Sequence, residues 1–176
     1  MLRGINVGGR NSVKMDQLRT LFETQGLKQV RTYIQSGNVI FTAAQGASVT
    51  LSKKLQNKIS QEFGLSIAVI VKTSEEVRNA IKNNPFLKEK PTIVSSKLYI
   101  TFLSGIPEKD ALKKLTEVSS NTDQLRYFDK AVYLYCPQGY GKTKLSNNIL
   151  ERILSVRATT RNWKTTTTLY EMSITD

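Results

Sequence analysis

The order in which the apolar period changes along the chain is the strongest constraint on its fold. Apolar residues at helical spacing give way to short stretches of two-residue alternation, and they do so in similar order twice. Met15, Leu18, Leu21 and Phe22 share one face of a helix predicted from about Val13 to Gln25, with Gly26 placed to end it. Val30, Thr32 and Ile34 then alternate with Arg31, Tyr33 and Gln35 as in a half-buried strand. Ser36-Gly37-Asn38 reads as the turn into a second strand, Val39 to Thr42, its glycine and asparagine suited to positive φ. Leu51, Leu55, Ile59 and Phe63 define a second helix closed by Gly64, and Leu65 to Val71 is an apolar strand. Thr73 with Glu76 resembles a capping box for a short helix that Asn83-Asn84-Pro85 stops.

After a stretch without period, the second series begins. Leu98, Ile100 and Phe102 alternate with Tyr99, Thr101 and Leu103, and Pro107 opens a helix whose buried face is Ala111, Leu112, Leu115 and Val118. Two strands, Leu125 to Phe128 and Val132 to Cys136, flank an Asp129-Lys130 turn, and Leu145, Ile149 and Ile153 mark a basic amphipathic helix. Where a closing strand belongs, the chain reads Arg157-Ala158-Thr159-Thr160-Arg161-Asn162-Trp163, and a last helix is predicted from Trp163 to Met172 with Asn162 as its N-cap. The expected fold is α+β, two ferredoxin-like halves of βαββαβ type with antiparallel sheets. The halves are placed at residues 1–84 and 97–176, the second with a terminal helix, and residues 85–96 are the expected linker.

Composition removes whole classes of chemistry. The chain has 176 residues and no histidine, so Ser-His-Asp and Cys-His catalysis and His-containing zinc sites are excluded within it. One cysteine, Cys136, forms no internal disulfide and reads as buried and inert. No apolar run approaches the roughly 18 residues of a membrane helix, and no charged-then-apolar leader precedes the first strand, so a cytoplasmic protein without membrane partners is expected. The carboxylates show neither a paired-acid motif nor a metal spacing, and no metal or cofactor is expected. The balance of 26 Lys and Arg against 14 Asp and Glu gives a formal net charge of +12, which favours anionic partners.

Three places concentrate residues suited to an anion. Leu2-Arg3-Gly4-Ile5-Asn6-Val7-Gly8-Gly9-Arg10-Asn11 holds three glycines, two arginines and two asparagines ahead of the first helix. Such a loop brings backbone N–H groups and cations up to a phosphate, or it is simply a tight turn with solvated charges. Arg3, Gly4, Asn6, Gly8 and Gly9 are its candidate ligand-binding residues, and Ser36, Gly37 and Asn38 join them if the two halves stack so that this turn, the glycine loop and the Arg161 region converge. Gly139-Tyr140-Gly141-Lys142-Thr143 sits where a P-loop would, but Cys136 replaces the required first glycine and the flanking strands read as a hairpin. Nucleotide hydrolysis is therefore rejected, while Lys142 and the helix start remain suited to a phosphate or to a plain turn. Arg161 and Asn162, beside Trp163, suit guanidinium recognition of phosphate, with the tryptophan assigned a structural role.

Leu2-Arg3-Gly4-Ile5-Asn6-Val7-Gly8-Gly9, Val30-Arg31-Thr32-Tyr33-Ile34-Gln35-Ser36-Gly37-Asn38-Val39 and Ala158-Thr159-Thr160-Arg161-Asn162-Trp163-Lys164-Thr165 resemble the signature segments of a bacterial family, the domain of unknown function 1697. The resemblance spans almost the whole chain and implies no activity, because the family is named for having none established. Its members carry an aromatic-rich strand ahead of the first segment, whereas Met1 stands directly before Leu2. A short or incompletely represented first strand is expected. The leading functional reading is an anionic ligand, with nucleic acid the favoured class and Tyr99, Tyr127, Tyr133 and Tyr135 expected as exposed sheet aromatics for base stacking. An enzyme acting on a small phosphorylated substrate and a protein-interaction module are the alternatives. Oligomeric state is not legible.

Overall fold

The computed structural model describes residues 1–44, 46, 48–118 and 122–175. It divides into two compact units, one of residues 1–73 with the C-terminal residues from Glu171, the other of residues 74–170. Both are net basic.

The first unit contains α1 (Met15–Thr24), β1 (Lys28–Tyr33), β2 (Asn38–Thr42) and α2 (Ser48–Phe63). The helical spacing read from the sequence becomes burial here. Leu18, Leu21 and Phe22 of α1 pack with Leu55 and Ile59 of α2 and with Leu2, Ile5, Val13, Val30, Ile67 and Val69 in one apolar core. Each such side chain contributes about 1.5–3 kcal/mol when fully buried. Gly26 and Gly64 follow α1 and α2 at φ +82° and +65°, the left-handed conformation that ends a helix without a Cβ penalty. The antiparallel pair β1-β2 places Tyr33 opposite Asn38 and Thr32 opposite Val39.

The expected strand Leu65 to Val71 is reduced to an isolated antiparallel bridge between Leu2 and Val69. Met1 O accepts from Ile70 N at 2.8 Å and Arg3 N donates to Ala68 O at 3.0 Å, after which Gly4, at φ +68°, turns the chain away. The other edge of the segment is satisfied by helix side chains: Val69 N donates to Gln56 Oε1 at 3.1 Å and Val71 N to Ser52 Oγ at 3.2 Å. A ladder is thus replaced by α2 side chains. The last residues of the chain belong to this unit through Arg31, whose Nη2 donates to the carbonyls of Met172 and Thr175 at 2.5 and 2.8 Å.

The second unit contains α3 (Ser74–Lys82), α4 (Pro85–Glu89), β3 (Leu98–Leu103), α5 (Lys109–Glu117), β4 (Gln124–Phe128), β5 (Ala131–Tyr135), α6 (Asn147–Leu154), β6 (Ala158–Asn162) and most of α7 (Trp163–Ile174). Its four strands form an antiparallel sheet in the order β4-β5-β3-β6. The closing strand β6 forms across the threonine-rich stretch, where β-branched side chains suit a pleated surface and Thr101 lies opposite Thr160. α4 occupies part of the expected linker because Asn84 Oδ1 caps the Phe86 N–H at 3.0 Å with Pro85 at the first helical position.

Both faces of the sheet are closed. Leu103, Val132 and Leu134 pack with Leu115 of α5 and with Leu150 and Leu154 of α6. On the other face Leu98, Ile100, Phe102 and Tyr133 are buried, and Phe86 of α4 meets Tyr135 with ring centroids 6.2 Å apart. The expectation of exposed stacking tyrosines is therefore corrected. Tyr133 is fully buried, Tyr99 lies 5.1 Å from the Tyr140 ring, and Tyr127 packs against the helix-side core. Burial holds the phenols of Tyr127 and Tyr133 above their ordinary pKa. The tyrosines are the apolar filling of a sheet covered on both sides.

Candidate functional site

The glycine loop grows directly out of the core of the first unit. Leu2, Ile5 and Val13 are buried, and between Ile5 and Val13 the residues Val7 to Ser12 are exposed without a break. Gly8 and Gly9 occupy φ +57° and +73° at the centre of a tight turn in which Arg10 N donates to Val7 O at 3.1 Å. Two consecutive positive φ values are the type I′ geometry, which Gly-Gly adopts at little cost. A Cβ at either glycine would meet no atom within 4 Å, so the conformation and not crowding calls for glycine there.

Asparagine side chains lock the base of the loop. Asn6 Oδ1 accepts from Val13 N at 2.8 Å, and Asn6 Nδ2 donates to Val13 O and to Gln35 O, each at 2.9 Å. Asn11 Nδ2 donates to Gly4 O at 2.9 Å, and Asn6 N donates to Asn11 O at 3.2 Å. Both donor hydrogens of the Asn6 carboxamide are thus used inside the fold. Asn6 is the brace of the loop.

The hairpin turn meets this loop, while Arg161, the third member of the expected convergence, belongs to the other unit. Leu2 N donates to Gly37 O at 2.8 Å, and a Cβ on Gly37 would lie 2.8 Å from Leu2 Cβ and 2.9 Å from Ile5 Cγ1 and Cδ1. Gly37, at φ +76°, is therefore required both by conformation and by space. The turn itself differs from the expectation. Asn38 is a buried strand residue whose Nδ2 donates to Tyr33 O at 3.1 Å and to Ser36 Oγ at 3.0 Å, and the second left-handed position falls on Ile34 at φ +50°. Asn38 closes the turn through its side chain, so its backbone stays in the β ladder.

Arg3 is half-buried, whereas Arg10 in the tip and Lys14, between the Val13 foot and α1, are exposed. These two cations, with Val7 and Ile34, were not singled out above. The Gly-Gly pair was the signal that could have found Arg10, because a type I′ turn places its fourth residue at the exit of an exposed tip.

Lys142, Arg161 and Asn162 belong to the second unit. Lys142 is exposed on a 3-10 turn, Tyr140–Lys142, but α6 starts only at Asn147, which corrects the expectation that Lys142 adjoins a helix start. Thr143 Oγ1 accepts from Leu145 N at 3.0 Å and donates to Asp123 Oδ2 at 2.6 Å, a local turn instead of a helix cap. Tyr140 Oη donates to Thr160 Oγ1 at 3.1 Å, and the same hydroxyl lies 2.7 Å from both Thr101 Oγ1 and Asn147 Oδ1. Arg161 is buried, its Nη1 donating to Thr159 Oγ1 at 2.8 Å and Thr160 O at 2.9 Å. Burial pushes its guanidinium pKa down to about 10, with Tyr140 opposing the shift. Asn162 caps α7 as expected, its Oδ1 accepting from Thr165 N at 2.7 Å. Cys136 is fully buried, and burial pushes its thiol up to about 11.

A family model described as "Protein of unknown function (DUF1697)" matches residues 1–133. The chain belongs to that family. The DUF1697 match includes the glycine loop and the Ile34–Gly37 turn and stops short of Lys142, Arg161 and Asn162. The solved structure of the conserved bacterial protein SP0830 from Streptococcus pneumoniae is similar to the chain with a TM-score of 0.73 at 23% identity, over 98% of this chain and 96% of that one. At that identity the likeness is one of fold. No curated protein matches the chain. Among the described residues, no helix is long and apolar enough to cross a membrane.

Proposed function

We propose that the protein binds nucleic acid through its phosphate backbone, with the tip of the glycine loop as the contact and Arg10 and Lys14 as the cations that meet phosphates. One observation carries this reading: six consecutive exposed residues, Val7 to Ser12, are held on buried feet at Leu2, Ile5 and Val13 by the Asn6 and Asn11 carboxamides. A pre-formed basic tip loses little conformational entropy on binding. The net charge of +12 supplies long-range attraction for a polyanion. An exposed tip of this kind complements a groove, whereas a small phosphorylated substrate calls for a concave pocket with convergent polar groups.

The strand order β4-β5-β3-β6 within a βαββαβ succession supports a ferredoxin-like reading of the second unit. The first unit follows the same succession of elements, with the Leu2–Val69 bridge in place of a full outer ladder. A nucleic-acid partner accords with a cytoplasmic protein.

The test is binding of a labelled duplex of about 20 base pairs at about 50 and 200 mM salt, comparing the native chain with the Arg10→Ala, Lys14→Ala double variant. Micromolar or tighter binding at low salt, with a log–log salt slope that falls by about 2 in the double variant, is the expected result. No binding at low salt overturns the reading, and so does binding whose salt slope the two substitutions leave unchanged.

A further inference from the structure

The two loops joined at Asn6 and Gln35 contain six left-handed residues that are glycine or asparagine, namely Gly4, Asn6, Gly8, Gly9, Asn11 and Gly37. These two residue types adopt positive φ with little strain. A seventh left-handed position, at φ +50°, is held by Ile34. A β-branched residue there is a genuine conformational outlier, and backbone strain of this kind gathers at functional sites. Ile34 also leaves 49% of its surface exposed, so burial does not repay the strain. Folding alone therefore gives no reason for an isoleucine at this position.

A second exposed aliphatic residue belongs to the loop that this turn meets. Asn6 Nδ2 and Gln35 O are 2.9 Å apart, and the chain neighbour of each, Val7 on one loop and Ile34 on the other, is an exposed branched residue. Val7, 62% exposed, is bridged directly to Arg10 across the type I′ turn. The tip and the turn thus each carry one exposed, stiff aliphatic side chain, and the one on the tip, Val7, is paired with the exposed cation Arg10. Their χ1 freedom is low, so little entropy opposes insertion into a narrow apolar gap.

Resting on the nucleic-acid reading above, we infer that Val7 and Ile34 form an apolar wedge that enters a base-pair step of duplex nucleic acid while Arg10 and Lys14 hold the flanking phosphates. Charge complementarity favours this occupant, because exposed aliphatic side chains on a segment that also carries the exposed cations Arg10 and Lys14 match a stack of bases bounded by phosphates. Tyr133 is buried and Tyr99, Tyr127 and Tyr135 are half-buried, so these sheet tyrosines offer bases less than the exposed tip does. The wedge unstacks one step and bends the duplex, which makes binding depend on how easily the step opens, greatest at pyrimidine–purine steps.

The experiment uses the full chain and a duplex of about 20 base pairs carrying 2-aminopurine at a central TA step, with the Val7→Thr, Ile34→Asn double variant alongside. Asparagine suits the left-handed position better than isoleucine, and threonine matches valine in shape, so the variant retains its fold, as checked by its urea midpoint. The expected result is a rise in 2-aminopurine fluorescence of at least about twofold when the native chain binds, lost in the variant although salt-dependent binding persists. Binding without a fluorescence rise overturns the wedge and leaves phosphate contact standing. No binding of the duplex overturns both. Insertion of the native tip into vesicles of phosphatidylserine and phosphatidylcholine, with no effect on 2-aminopurine, would assign the same side chains to a lipid surface and also overturn the wedge.

Discussion

The Asn6–Gln35 junction of the first unit and the β3-β6 edge of the second draw on similar residue types, arginine, asparagine and small or β-branched neighbours, and put them to opposite uses. At the junction, Asn6 and Asn11 saturate the loop backbone so that Arg10 and the tip remain in solvent. At the sheet edge, Thr159 and the Thr160 carbonyl take hydrogen bonds from Arg161, so the cation itself is enclosed. The difference follows from backbone geometry. A turn rich in positive φ turns its tip outward, whereas a strand between two covered faces directs most of its side chains into packing. Residue type alone therefore does not mark a binding site. What marks one is whether the local backbone can satisfy itself without consuming the charged group.

The sharpest way to break this contrast is at Gly37. Gly37→Ala combines a left-handed Cβ with contacts of 2.8 and 2.9 Å to Leu2 and Ile5, and the expected loss is about 2–4 kcal/mol. Gly4→Ala has an equally positive φ but open space, so its loss is confined to about 1–2 kcal/mol. Urea midpoints with unchanged m values measure both. Equal losses would show that the loop and turn yield easily and that the tip is not rigidly supported.

A smaller effect separates structural from ligand-binding asparagine on the other side of the comparison. Asn162→Ala removes the cap on Thr165 N and costs about 1 kcal/mol of stability. Duplex binding at low salt is expected to stay within twofold of the native value, a margin of about 0.4 kcal/mol. A tenfold loss of binding with native stability would instead place a ligand at the α7 terminus and erase the difference drawn between the two units.

How much was legible beforehand depended on the kind of signal. Helical spacing placed α1, α2 and α5, because Leu18 and Leu55 in one core and Leu115 in the other had to be buried whatever the topology. The approach of the glycine loop to the Ser36-Gly37-Asn38 turn was suggested by their glycine, arginine and asparagine clusters, as one part of a convergence that was also to include the Arg161 region. Three matters were hidden. In α6 the buried positions are Leu150 and Leu154, one residue on from the expected Ile149 and Ile153, because the helix starts at Asn147 after Leu145 is already buried. The exchange of positive φ from Asn38 to Ile34 depends on a four-residue connection that the alternation of Val30, Thr32 and Ile34 disguised as strand. The enclosure of Arg161 depends on β6 pairing with β3, a contact between segments far apart in sequence that composition does not encode.

The smallest expected effect concerns a polar group that the covered sheet encloses without using. Tyr133 is fully buried and its Oη has no hydrogen-bond partner among the described residues. Tyr133→Phe removes that hydroxyl while keeping the ring, so stability at pH 7 is expected to be unchanged or to rise by about 1 kcal/mol. The gain should widen at alkaline pH. Burial first, and the Asp129 carboxylate second, hold the Tyr133 phenol above its ordinary value of 10.0, so the unfolded chain ionises there before the folded chain does. As pH climbs past 10, unfolding of the native chain is favoured by that ionisation, and the phenylalanine variant escapes it. Urea midpoints of the pair at pH 7 and near pH 10.5 isolate this difference, since every other titrating group is common to both. A loss of stability at pH 7 would mean that an internal water bonds the hydroxyl. The second unit would then hold a hydrated polar site beneath its sheet, and its contrast with the solvent-facing tip of the first would be weaker than the packing implies.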